Sequence, residues 1–261
     1  MRTDSSLEAA VRGTLEQFEE LCFGLLFGSA ATGRLRADSD VDVAVYLDSG
    51  GRLEVEEERE FEGEADLQIA LERGLDRNIE LLLLNSAPAT VCAAAVLQGK
   101  TVLLRDPALF GRYTLAVTDA AAQFLQTEKD FRTIRRRSGS LSEIDRARLE
   151  RILDFLAEEL EDRSKFREVD LHTYQSDRDL RRNLDRWVET IINAAIDIGK
   201  IVLASEHRQV PQTYGQILAE LELLPPFSEL SGRLRKLAPL RNILAHEYLD
   251  LRFGRVKAFV E

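Results

Sequence analysis

Leu26-Phe27-Gly28-Ser29-Ala30-Ala31-Thr32-Gly33-Arg34-Leu35-Arg36-Ala37-Asp38-Ser39-Asp40-Val41-Asp42-Val43-Ala44-Val45 is the stretch on which the reading of this chain turns. It closes a short apolar β-type run, Phe23 to Phe27, on a glycine–serine turn. It then opens a second apolar run, Val41 to Leu47, that Asp42 interrupts. A glycine at the end of a strand carries no Cβ to block a ligand, so backbone N–H groups and the Ser29 hydroxyl can approach phosphate oxygens. Asp40 and Asp42 stand two residues apart, which on a strand puts both carboxylates on one face, as donors to a hard divalent cation. Each feature alone has a plainer meaning. Gly-Ser is also an ordinary turn, and Asp38 to Asp42 also reads as turn residues entering an exposed acidic strand edge. Together they favour a site for a phosphate-bearing ligand and its metal ions.

Outward from this stretch, Leu7 to Leu21 has the spacing of an amphipathic helix, while Ile79 to Leu84 and Thr101 to Leu104 are two further apolar runs. Helical patterns lie between them, at roughly 53 to 75 and 88 to 98. Apolar runs separated by helices indicate an α/β domain, a small mixed sheet with flanking helices. After Pro107 the pattern is helical almost throughout, broken at Arg137-Ser138-Gly139-Ser140, around Val210-Pro211-Gln212 and at Pro225-Pro226. Ser142-Glu143-Ile144-Asp145 has the form of a capping box, which predicts a new helix just after the first break. Leu184, Trp187, Val188, Ile191, Ile192, Ala195, Ile198 and Val202 follow the three-and-four spacing of one buried helix face, which makes Trp187 a core residue. The expected organisation is therefore an α/β domain over 1–140, its sheet complete by about 106 and followed by a trailing helix, and then an all-α helical-bundle domain over 141–261.

The 261 residues suffice for two modest cores. No apolar run reaches the roughly 18 residues needed to span a bilayer, and the N-terminus lacks the apolar core of a signal peptide, so a cytoplasmic protein is expected. Cys22 and Cys92 both sit in apolar stretches and read as reduced, buried thiols, with no zinc site. A net charge of −11 argues against a general nucleic-acid coat protein, though not against a small basic cleft. The basic runs Arg132 to Arg137 and Arg233 to Lys236 read most simply as solvated helix faces.

The Gly28-Ser29 turn followed by Asp40-x-Asp42 resembles the G-S…D-x-[DE] pattern of the minimal nucleotidyltransferase family within the polymerase-β-like superfamily, over roughly residues 20 to 106. The resemblance implies that Gly28, Ser29 and Ser39 bind nucleotide. It also implies that Asp40 and Asp42 ligate Mg2+ carrying ATP, and that Glu80 in Asn78-Ile79-Glu80-Leu81-Leu82 is the third acid. Aspartate is commoner at that third position, so Glu80 departs from the pattern by one methylene and otherwise reads as an exposed strand acid. Arg34 and Arg36 lie between turn and acids, as phosphate contacts or as solvated loop residues.

Near the end stands Leu240-Arg241-Asn242-Ile243-Leu244-Ala245-His246-Glu247-Tyr248. His transfers protons near neutral pH and Arg offers a fixed fork to a phosphodiester, a pairing suited to metal-independent RNA cleavage. On one helix Asn242 and His246 share a face and Arg241 does not, so either Arg241 reaches round or the helix ends near His246. Spacing alone is equally that of an ordinary surface helix. The segment resembles the R-x4-H-x-Y signature of HEPN domains, over about 143 to 261. The resemblance implies a ribonuclease cleft formed by Arg241 and His246 across a homodimer, with Asn242 in support. It further implies Tyr248 as the acceptor of AMP from an adjacent nucleotidyltransferase acting as antitoxin. Asp197, an acid in an apolar helix, reads either as facing that cleft or as a buried, paired acid.

These readings combine into a single-chain toxin–antitoxin-like protein, in which ATP and Mg2+ serve a domain that adenylylates Tyr248 and so silences RNA cleavage. An alternative is nucleotidyl transfer to a small molecule or other acceptor, with the helical domain serving dimerisation or substrate binding. A third is a catalytically inactive regulator.

Overall fold

The computed structural model describes residues 4–32, 39–137, 141–230, 232–244 and 249–261. Packing divides the chain into two compact units, Met1–Ala121 and Ala122–Glu261.

The first unit runs α1 (Asp4–Leu15), β1 (Leu21–Leu26), α2 (Gly28–Ala31), β2 (Val41–Leu47), α3 (Glu64–Leu75), β3 (Ile79–Leu83), α4 (Ala89–Gln98), β4 (Lys100–Leu104) and the first half of α5 (Pro107–Arg137). Its four strands form one mixed sheet in the order β3-β2-β1-β4. β1 is antiparallel to both β2 and β4, whereas β2 and β3 are parallel and joined through α3, the crossover that a parallel pair requires. Along β2 the side chains alternate. Val41, Val43, Val45 and Leu47 share a core with Leu7, Val11 and Leu15 of α1 and Leu67, Leu71 and Leu75 of α3. On the opposite face Tyr46 stacks on Phe23 at 4.7 Å and meets Tyr113 of α5 edge-on at 4.9 Å. The central strands β1 and β2 are buried on both faces, which is why they are nearly continuous apolar runs in sequence. At Gly24 a Cβ would lie 2.5 Å from Cδ1 of Leu15, so glycine lets α1 lie close against β1.

Two predicted helices are shorter than expected. α1 stops at Leu15 and not near Leu21, because the Arg105 guanidinium donates to the carbonyls of Glu16 and Phe18 in the turn that follows and of Leu21 at the start of β1. The pattern over 53 to 75 is helical only from Glu64. Leu53, Glu54 and Val55 are instead buried in an irregular segment. The fully buried Asn85 amide accepts from Leu47 N–H at 2.8 Å and donates to the Leu47 carbonyl at 3.2 Å and to Glu54 at 2.6 Å. Arg59 holds the same Glu54 carboxylate at 2.8 Å. Glu56 adopts a left-handed φ of 56°, and its carboxylate accepts from Ala89 N–H, capping α4. These tertiary bonds outweigh helix propensity, which is worth only tenths of a kcal/mol per residue, about 0.7 at most for ordinary residues.

The second unit comprises the rest of α5, then α6 (Glu143–Glu161), α7 (Arg163–Arg167), α8 (Leu171–Ser176), α9 (Arg178–Ser205), α10 (Tyr214–Glu222), 3-10 turns at Pro225–Leu230 and Leu234–Lys236, α11 (Leu237–Ile243) and α12 (Leu249–Val260). The predicted helix start is capped by Ser142, whose Oγ accepts from Asp145 N–H at 3.2 Å, and Arg137 pairs with Asp145 at 2.8 Å. α9 is the spine of the helical core, burying Leu184, Trp187, Val188, Ile191, Ile192 and Ile198. Trp187 packs on Phe166 at 5.0 Å while its indole N–H donates to the Glu159 carbonyl at 2.7 Å, as a core residue. The packing division falls within α5. Phe110 and Tyr113 lie against Phe23 of the sheet, whereas Phe124, Phe131 and Ile134 belong to the helical core. Cys22 and Cys92 are free and buried, and burial pushes their thiols up to about 11 and about 12. Among the described residues no helix is long and apolar enough to cross a membrane.

Candidate functional site

β1 ends at Leu26 and the chain turns at Gly28, whose φ of +59° lies in the region that glycine alone occupies freely. The turn abuts the start of β2, with Phe27 N–H donating to the Asp42 carbonyl at 3.0 Å. The N–H of Ser29 hydrogen-bonds to the Asp42 carboxylate, so the amide expected to face phosphate is engaged with the acid. Position 28 has no room for a side chain: a Cβ there would overlap the Asp42 carboxylate.

Asp42 and Glu80 are register partners in the parallel β2–β3 pair and so share a face. Burial holds the Asp42 carboxyl above the usual aspartate range, and the negative Glu80 beside it pushes the same way against the Ser29 N–H. Two adjacent carboxylates, one partly buried, call for positive charge between them, and an all-oxygen donor pair suits a hard divalent cation. Asp40 stands just before β2, is exposed, and acts on Asp42 through its charge alone. Among the described residues no group of three or more His, Cys, Asp or Glu side chains is gathered closely enough to hold a metal ion. Asp42 and Glu80 thus face each other across the two strands, and Asp40 adds its negative charge to theirs. Ser39 is half-buried, and its carbonyl accepts from Arg77 Nη1 at 3.3 Å, a tie from the end of α3 to the approach of β2. Nothing in the spacing of Arg77 marks it in advance. Arg34 and Arg36 lie outside the described residues.

In the helical unit α11 ends at Ile243, three residues before His246, in agreement with a helix that stops near the histidine. Pro239 is tolerated because it lies in the first turn, where an N–H has no helical partner. Asn242 is buried, and Arg241 is part-buried. The Arg241 guanidinium donates to Asn193 Oδ1 at 3.3 Å, to Asn242 Oδ1 at 3.4 Å and to Gln123 Oε1, and lies over the Tyr214 ring at 4.6 Å. Gln123, Asn193 and Tyr214 come from α5, α9 and α10, and no spacing in the sequence links them to Arg241. His246 and Tyr248 lie outside the described residues. The two sides of that segment are tied: Arg252 Nη1 donates to the Leu244 carbonyl at 2.5 Å, and Asp185 holds the same guanidinium at 3.2 Å. Asp197 is half-buried and paired, with Lys200 at 2.5 Å and Arg148 at 3.5 Å.

No curated protein matches this chain. It is similar to the solved structure of a toxin–antitoxin complex with AMP-PNP, at 24% identity over 47% of this chain and 92% of that one, TM-score 0.40. It is also similar to the toxin–antitoxin MntA-HepT, at 22% identity over 48% and 91%, TM-score 0.36. A third is the tri-AMPylated Shewanella oneidensis HEPN toxin in complex with MNT antitoxin, at 24% identity over 49% and 93%, TM-score 0.36. The family model described as polymerase beta, nucleotidyltransferase matches residues 10–108, and the one described as ribonuclease HepT-like matches residues 147–261. The chain therefore joins, in one polypeptide, a domain of the polymerase beta nucleotidyltransferase family to a domain of the HepT-like ribonuclease family.

Proposed function

We propose that residues 1–140 act as a Mg2+-dependent protein adenylyltransferase on residues 141–261, moving AMP from ATP to Tyr248 and thereby silencing metal-independent RNA cleavage by Arg241 and His246. The observation that carries the reading is the joint placement of Gly28, Asp42 and Glu80 at one end of the sheet, in a nucleotidyltransferase-family domain fused to a helical domain bearing the R-x4-H-x-Y motif. In this reading Asp42 and Glu80, with Asp40, hold the metal, and Gly28, Ser29 and Ser39 receive the nucleotide. When bound, the cation neutralises triphosphate charge and eases deprotonation of the acceptor hydroxyl. The Tyr248 phenol oxygen bonds to the α-phosphorus of ATP, the bond from that phosphorus to the bridging oxygen breaks, pyrophosphate leaves and the phenolic proton passes to a base or to water. The new phosphodiester adds negative charge and bulk beside Arg241 and His246, where an RNA phosphate has to sit. The cleft is proposed to form between two copies of the helical domain, with Asn242 supporting Arg241.

Incubation with Mg-ATP, followed by intact-mass measurement and peptide mapping, tests the transfer. One adenylyl increment on Tyr248, absent in Asp42→Ala, is expected. No AMP on any tyrosine overturns the proposal, and ATP turnover without labelled protein redirects it to another acceptor. RNA cleavage is expected to be lost in His246→Ala and kept or raised in Asp42→Ala.

A further inference from the structure

Residues 122–137 of α5 precede the HepT-like match at 147–261, yet they pack within the helical unit. Three contacts converge from this stretch on one place. Gln123 Oε1 accepts from Arg241 Nη2. Phe124 meets the Tyr214 ring edge-on at 5.1 Å, and the Thr127 hydroxyl lies 3.5 Å from the Tyr214 hydroxyl. That ring carries the Arg241 guanidinium on its other contact, at 4.6 Å.

We infer that Gln123 is a positioning residue for the ribonuclease chemistry, holding Arg241 from a helix outside the HepT-like segment, with Phe124 and Thr127 setting the ring on which that guanidinium rests. This rests on the ribonuclease reading given above. A guanidinium presents five N–H donors in a rigid plane, so fixing one edge and one face decides where the remaining donors aim. Asn193 and Asn242 fix the Nε and Nη1 positions, and Gln123 fixes Nη2. Without Gln123 the plane is free to tilt about the other two bonds, and the fork no longer meets a phosphodiester in one orientation. A neutral acceptor achieves this without cancelling the charge that the phosphate requires.

The test uses the full chain with a single-stranded RNA substrate. Gln123→Leu is expected to lower kcat about tenfold, the scale of one hydrogen bond to a charged group, with KM and Tm nearly unchanged. Gln123→Glu, which keeps the acceptor, is expected to restore the wild-type kcat to within a few-fold while raising KM, since it neutralises Arg241. In 15N-arginine-labelled protein the Arg241 Nε–H resonance, assigned by its loss in Arg241→Lys, is expected to shift in Gln123→Leu. An unmoved resonance overturns the inference, and so does an unchanged kcat in Gln123→Leu when Arg241→Lys is inactive. Should the resonance shift while the wild-type chain cleaves no RNA, the ribonuclease reading fails and the positioning contact stands.

Discussion

A β-carbon at position 28 would lie 2.9 Å from Cγ of Asp42, so the turn closing β1 and the acid opening β2 leave no space for a side chain between them. The same glycine has φ of +59°, so sterics and backbone conformation make one demand. Any residue but glycine at 28 has to displace the carboxylate that faces Glu80.

Gly28→Ala is accordingly expected to abolish Mg-ATP binding and to lower stability by about 1–3 kcal/mol, the cost of a left-handed non-glycine residue. Isothermal calorimetry and urea unfolding check the two parts. Wild-type nucleotide affinity in the variant would show that the close approach is irrelevant to the site.

Asp42 makes stability depend on pH. Its folded-state carboxyl is raised above the ordinary value of 3.8 by burial and by Glu80, so its favourable contribution is complete below that value and is lost as pH rises through the raised one. Asp42→Asn removes this term, and its Tm relative to wild type is expected to increase as pH rises above 3.8. A Tm difference that does not vary with pH argues against strain between the two acids.

Glu80→Gln is expected to reduce adenylyl transfer by about a hundredfold or more, the scale of losing one preorganised electrostatic contact. Folding should be undiminished, since a like charge beside Asp42 is removed. Glu80→Asp keeps the charge and is expected to retain more transfer than Glu80→Gln. Chelation of divalent cations is expected to stop transfer in the wild type and to leave RNA cleavage running. Transfer that persists in excess EDTA contradicts the metal assignment.

Asn85→Ala strips partners from the Leu47 amide and carbonyl and from the buried Glu54 carboxylate. A loss of about 2–4 kcal/mol is expected, as for breaking a buried polar network. Equilibrium unfolding measures it, and a loss under about 0.5 kcal/mol, the range of neutral surface changes, would mean that water replaces the amide at no cost.

Arg252→Ala removes the cation from Asp185, whose carboxyl burial already pushes up, and frees the Leu244 carbonyl. Stability is expected to fall by about 2–3 kcal/mol, at or below the cost of orphaning a buried charge. Arg252→Ala combined with Asp185→Asn should recover part of it. Additive losses in that double-mutant cycle would show that the two side chains do not act as a pair.

By itself the sequence determined what depends on near neighbours and on burial pattern. β1 and β2 were legible because side chains on both faces are buried, which turns them into nearly continuous apolar runs. The start of α6 was legible because Ser142 and Asp145 cap it locally, and the α9 spine because its buried residues recur at helical spacing. Gly28-Ser29 and Asp40-x-Asp42 were visible for the same reason, each being a local pattern around one turn and one strand. Tertiary structure alone decided the rest. The parallel register of β2 with β3 sets Glu80 beside Asp42. The Asn85 network overrides a helical pattern before Glu64, and Arg105 takes the carbonyls that follow the end of α1. The Arg241 cradle gathers Gln123, Asn193 and Tyr214 from three helices. In each case the deciding bond joins residues far apart in the chain, and a hydrogen bond or charge contact has no periodicity by which sequence can announce its partner.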